Sequence, residues 1–109
     1  MQPKRGEVWW VKLDPTVGSE IRKTRPCVVV TNDVFNRRRN TVIVVPISSS
    51  ERVSLPLTVA VHTDKIRGVA AIEQVRAVSK ERMTTQLDVL GEDLMQQIAS
   101  ALKTLLDME

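Results

Sequence analysis

The chain is poor in the residues on which metal proteins and many enzymes rely, with one cysteine, one histidine, two tryptophans, one phenylalanine and no tyrosine among 109 residues. Cys27 alone can make neither an internal disulfide nor a cysteine-rich metal site, which suits a reducing cytoplasm. His62 alone supplies neither the acid–base pair of a two-histidine ribonuclease nor a metal site without partners from elsewhere, and it reads as structural or surface. A triad of Ser48, His62 and Asp64 lacks the Gly-x-Ser-x-Gly elbow and is set aside. The four glycines form neither a Gly-x-x-x-x-Gly-Lys-Ser loop nor a Gly-x-Gly-x-x-Gly turn, so no cofactor is expected. No apolar run approaches the roughly 20 residues of a membrane helix, and the segment from Met1 to Glu7 has no apolar signal region. The expectation is a cytoplasmic protein with no membrane contact.

What is present is the composition of one soluble domain spanning residues 1–109, with 42% hydrophobic and 27% charged residues. A single core is expected at this length. The net charge of +3 is unevenly spread: residues 1–40 carry nine Lys/Arg against four Asp/Glu, and residues 81–109 carry two against six. A basic front half suits a polyanion, because Lys and Arg gain by displacing counterions from phosphates, although a charge excess is often only a solvated face.

Five stretches read as strands from their β-branched residues and flanking turn formers: Glu7–Leu13, Cys27–Thr31, Val42–Ile47, Thr58–His62 and Val69–Val78. Val28-Val29-Val30 and Val42-Ile43-Val44-Val45 read as buried on both faces. The polar Asn32–Asn40 segment, including Arg37-Arg38-Arg39, reads as a connection. Its arginines would extend a positive field beside Arg22, Lys23 and Arg25 if the loops are neighbours. Near the end of the chain, Leu94, Ile98, Ala101, Leu102 and Leu105 fall on one helical stripe behind Glu92 and Asp93, predicting a helix of about four turns. Ser79 reads as the N-cap of a short helical turn before Met83. The architecture is mainly β with α: a small antiparallel β-barrel closed by a C-terminal helix.

Chemistry concentrates in Gly18–Pro26. Pro26 biases Arg25 toward extended backbone and holds it where loop becomes sheet. A guanidinium stays charged and can bind two phosphate oxygens at once; equally, Arg25 can pair with Glu20 as a loop clamp. Ser48, just after the Val42–Ile47 strand in the run Ser48-Ser49-Ser50, is either a hydrogen-bond donor to a phosphate oxygen or an ordinary turn former. Trp9 and Trp10 point to opposite faces, one expected in the core and the other over the barrel or a partner. With Phe35 they are the whole aromatic inventory, which argues against extensive base stacking.

Arg5-Gly6-Glu7-Val8-Trp9-Trp10-Val11, Leu13–Glu20 and Thr24-Arg25-Pro26-Cys27-Val28-Val29-Val30 strongly resemble the MazF/PemK family of toxin ribonucleases. The similarity continues through Val45-Pro46-Ile47-Ser48 and Ile72-Glu73-Gln74-Val75-Arg76. The resemblance implies an SH3-like barrel of the CcdB/PemK kind, a homodimer, and sequence-specific cleavage of single-stranded RNA without metal. The ribose 2′-hydroxyl would attack the adjacent phosphate and leave 2′,3′-cyclic phosphate and 5′-hydroxyl ends. It also implies a catalytic set of Arg25, Ser48 and Glu20. Ser48 stands where threonine is usual, and Glu20 would orient Arg25 or act as base. Arg22, Lys23, Thr24, Ser49, Glu73 and Gln74 would contact RNA. The base stays open between Glu20 and Glu73: Glu73 aligns with an acid proposed as base in one branch, but the arginine that accompanies it there is Ala71 here, a departure that favours the Arg25/Ser48 arrangement. The implied partner is an antitoxin with an acidic C-terminal tail that covers the basic groove. The alternative is a non-enzymatic toxin of the same fold that binds DNA gyrase, which would need neither Arg25 nor Ser48.

Overall fold

The computed structural model describes residues 2–49 and 52–108. Seven strands and two helices follow one another as β1 (Glu7–Lys12), β2 (Thr24–Val29), α1 (Asp33–Arg38), β3 (Thr41–Ser48), β4 (Thr58–His62), β5 (Arg67–Ala71), β6 (Arg76–Ser79), β7 (Met83–Val89) and α2 (Glu92–Leu105). All pairings are antiparallel, as the short connections demand. The sheet order is β4-β5-β3-β2-β1-β7, with β6 also on β3. Among the described residues no ladder closes β4 onto β7. The two edges are instead tied by a side-chain bond, Thr63 Oγ1 donating to Asp88 Oδ2 at 2.7 Å. The expected barrel is therefore a curled sheet with a stapled seam.

Alternation along the central strands sends side chains to two cores. Val8, Val28, Val45 and Ile47 join Met95, Ile98 and Ala101 of α2 in one cluster. Val11, Cys27, Val29, Val42 and Val44 join Val78 and Met83 in the other. The single expected core is thus divided by the sheet, and Val28 and Val29 bury themselves on opposite sides, as a run without polar alternation requires.

Several boundaries differ from the sequence reading in ways that matter for the site. β2 begins at Thr24, so Arg25 and Pro26 are strand residues opposite Val11 and Trp10, not loop residues. β3 runs on to Ser48, which pairs with Val69. The expected Val69–Val78 strand is two strands separated by a 3₁₀ turn at Ile72–Gln74. Both lie on β3, β6 along Thr41–Val44 and β5 along Ile47–Ser48. The break in pairing falls at Val45 and Pro46, and proline offers no N–H to a ladder.

The Asn32–Asn40 connection contains a helix: Asn32 caps α1 by accepting the Val34 N–H at 2.8 Å, and the basic last turn holds Arg37 and Arg38. This helix follows the far end of β2 from Arg25. At about 3.3 Å per strand residue the arginine triplet does not extend the field beside Arg25. The short 3₁₀ turn at Lys80–Arg82 has the expected Ser79 cap. α2 has the expected length, but its stripe is rotated: Met95, Ile98 and Ala101 are buried, Leu94 and Leu102 flank them, and Leu105 stays exposed. Among the described residues no helix is long and apolar enough to cross a membrane.

Candidate active site

Two cavities meet at Ser48. The first, of about 200 Å³, is lined by Trp10, Arg25, Ser48, Ser49, Lys65 and Arg67 over an apolar floor that includes Ile47 and Leu87. Among the described residues no carboxylate lines it. The second, of about 350 Å³, has Ser48, Arg52, Ala71, Glu73 and Gln74 among its lining residues. Ser50, the third serine of the run, lies outside the described residues.

Strand register brings these groups together. Trp10 faces Pro26 across the β1–β2 ladder, and its half-buried side chain lines the first cavity together with Arg25. Ser48 is held by pairing with Val69, and the neighbouring Gly68 lets β5 close on it. A Cβ at Gly68 would stand 2.1 Å from the Ser48 carbonyl oxygen, a contact that only glycine avoids. Cys27, two residues beyond Arg25, takes no part as a nucleophile. Burial pushes its thiol up to about 12, with the Arg76 charge opposing, so it stays protonated.

The loop residues are placed differently. Glu20 accepts the Val17 N–H at 3.2 Å, and Arg22 Nη2 donates to the Gly18 carbonyl at 3.2 Å, so both brace their own turn. Lys23 has φ of 67° and its carbonyl accepts the Leu13 N–H at 2.9 Å. Glu20, Arg22, Lys23 and Thr24 line neither cavity. Gln74 Oε1 accepts the Ile21 N–H at 3.4 Å and fastens this loop to the 72–74 turn. His62 is exposed at the end of β4. Among the described residues, no three His, Cys, Asp or Glu side chains converge to hold a metal ion.

Trp10, Lys65 and Arg67 are the cavity residues that the sequence did not single out for the site. Alternation placed Trp9 and Trp10 on opposite faces, and Trp9 is the one against the core, its Nε1 donating to Glu7 Oε1 at 3.1 Å. Lys65 and Arg67 carry no local signal, because their place depends on the turn between β4 and β5 folding over β3.

Residues 4–106 match the family model described as PemK-like, MazF-like toxin of type II toxin-antitoxin system. The chain is 33% identical over 105 residues to endoribonuclease EndoA of Bacillus subtilis, covering 92% of this chain and 90% of that protein. Among solved structures, MazF of Deinococcus radiodurans superposes with a TM-score of 0.90 at 23% identity, over 99% of both chains. A mycobacterial endoribonuclease in complex with its cognate antitoxin superposes at 0.84 with 23% identity, over 98% of this chain and 97% of that one.

Proposed function

The chain belongs to the PemK-like, MazF-like family of type II toxins and is an endoribonuclease, and from that premise we propose that it cuts single-stranded RNA at specific sequences, without metal, by attack of the ribose 2′-hydroxyl on the adjacent phosphate. The observation that carries this reading is the cavity shared by Arg25, Ser48 and Trp10. Arg25 binds the scissile phosphate through its planar fork and stabilises the charge that grows on its oxygens. Ser48 donates a hydrogen bond to the same group, and Trp10 offers one base a stacking face. A gyrase-binding toxin would have no use for this set.

The attacking hydroxyl must lose a proton. Glu73 shares a cavity with Ser48, whereas Glu20 is engaged by Val17 in its own turn, and this placement supports Glu73 as base. The bond from the 2′-oxygen to phosphorus forms as the bond to the 5′-oxygen breaks, Glu73 takes the proton of the 2′-hydroxyl, and a proton from solvent completes the leaving 5′-hydroxyl. The products are a 2′,3′-cyclic phosphate and a 5′-hydroxyl. Ser49 and Gln74, with the Arg22–Thr24 edge, would contact flanking nucleotides and help to set the recognised sequence.

The partners follow from the surfaces. A hollow of about 430 Å³ lined by Val30, Ile43, Val75, Leu102 and Leu106 supports pairing with a second copy. The basic cavity suits the acidic C-terminal tail of an antitoxin, and location in the cytoplasm places the toxin with its RNA.

The test is incubation of purified protein with a long single-stranded RNA in EDTA. Cutting that leaves cyclic-phosphate ends is expected, with loss of about 10²–10³-fold or more in rate for Arg25→Ala. Glu73→Gln should cost about 10²–10⁴-fold, and Glu20→Gln far less. Intact RNA at stoichiometric wild-type enzyme would overturn the reading.

A further inference from the structure

The first cavity contains two cations besides Arg25. Lys65 and Arg67 flank the buried Ile66 on the turn from β4 into β5 and line that cavity from the side opposite β2. Lys65 and Leu87 also line a third hollow, of about 330 Å³, whose remaining wall is Gln86, Asp88 and Val89 of β7. The hollows therefore join into one track. It runs from Glu73, across Ser48 and Arg25, past Lys65 to the edge strand β7.

This turn is held at several points. Thr63 N–H donates to the Ile66 carbonyl at 2.8 Å. Thr63 Oγ1 accepts the N–H groups of Lys65 at 3.1 Å and Ile66 at 3.0 Å, and donates to Asp88 at 2.7 Å. The other Asp88 oxygen accepts the Val89 N–H at 2.8 Å. Both Asp88 oxygens are thus bonded in the seam, and the ammonium of Lys65 adds a through-space attraction to that carboxylate. The Thr63–Asp88 clasp fixes where the turn puts its cations.

We propose that Lys65, together with Arg67, forms a second phosphate subsite that binds a phosphate adjoining the scissile one, and that the Thr63–Asp88 clasp positions it. The inference rests on the reading above, in which Arg25 and Ser48 hold the scissile phosphate. Three cations line one cavity that no carboxylate lines among the described residues, and a single-stranded RNA brings one negative charge per nucleotide along the track. Lys65 and Arg67 act in substrate binding, and Thr63 is a positioning residue.

The experiment uses a short RNA with one mapped cleavage site, and copies in which a neutral methylphosphonate replaces either phosphate next to the scissile one. Lys65→Gln and Arg67→Gln should raise KM about tenfold, the size of a lost charge-assisted bond, and lower the salt slope of log(kcat/KM) by about 0.7 for each charge removed. Lys65→Arg should keep the wild-type slope. On the methylphosphonate copy that lacks the bound phosphate, Lys65→Gln should cost nothing further. Thr63→Val should raise KM on the full RNA and not on that copy. Equal losses on all copies, a fall confined to kcat, or unchanged RNA kinetics with loss of inhibition by an acidic antitoxin peptide would each overturn the subsite. Failure of the parent reading looks different, since wild-type enzyme would then leave RNA uncut.

Discussion

Site residues are held in place by neighbours that do no chemistry. Gly68 shows this most directly, because the Cβ of alanine there would meet the Ser48 carbonyl carbon at 3.1 Å and its oxygen closer still. Either β5 must leave β3 or Ser48 must move. Gly68→Ala should therefore cost about 1–3 kcal/mol in urea unfolding, and lower kcat in the molecules that remain folded. A variant with the wild-type midpoint and full rate would disprove that dependence. Cys27 offers a complementary readout. Its thiol is fully buried and pushed up to about 12, so a thiol reagent at neutral pH should label it only through unfolding. Labelling should slow as stability rises; fast labelling of native protein would contradict the packing around β2.

At the scale of elements, the regular pieces differ in what holds them. α2 has no side-chain N-cap bond at Gly91, and it relies on Glu92 and Asp93 in its first turn and on the packing of Met95, Ile98 and Ala101. Ile98→Ala should cost about 2–5 kcal/mol, read by thermal or denaturant unfolding, while Gln97→Ala on the exposed face should change little. α1 is held mainly by polar bonds. Its buried Asn36 donates to the Thr31 carbonyl at 2.8 Å and to Asp33 at 3.2 Å. In turn, Asp33 accepts the Arg5 N–H at 2.7 Å, which draws its carboxyl below the ordinary value. β7 buries only Met83 fully and pairs with β1 through two register shifts. Edge position explains its polar sequence, since a strand paired on one side and wet on a face needs no apolar run.

The whole molecule presents a cavity lined by Arg25, Lys65 and Arg67 near one sheet seam and an apolar hollow beside α2. Ile43 is 41% exposed and Leu106 57% exposed at that hollow, and a second copy would cover both. Ile43→Glu with Leu106→Glu should convert a dimer to a monomer in sedimentation experiments at micromolar concentration. A monomeric wild-type protein would remove the second copy from the proposal. The uneven charge along the chain becomes an uneven surface only in part: Arg25 lines the site, whereas Arg37 and Arg38 sit at the far end of β2.

Much of this was legible in residue order. The β-branched runs at Val28–Val30 and Val42–Val45, the stripe through Ile98 and Ala101, the Ser79 cap and the Arg25-Pro26 step are local patterns, and local patterns dictate local conformation. The missed elements lacked such patterns: β7 is polar because it is an edge, and α1 is a polar helix tied down by Asn32 and Asn36. For the candidate site, residue order singled out Arg25 and Ser48, which line one cavity, and Glu73 among alternatives. That Glu20 would turn back on Val17, and that Trp10, Lys65 and Arg67 would join Arg25, depended on pairings between residues far apart in the chain. Such contacts arise from register and from the curl of the sheet, through interactions that no segment makes alone. Sequence alone determined the apolar strands, the C-terminal helix and the charged groups available; the tertiary structure added the polar elements and decided which groups share a cavity.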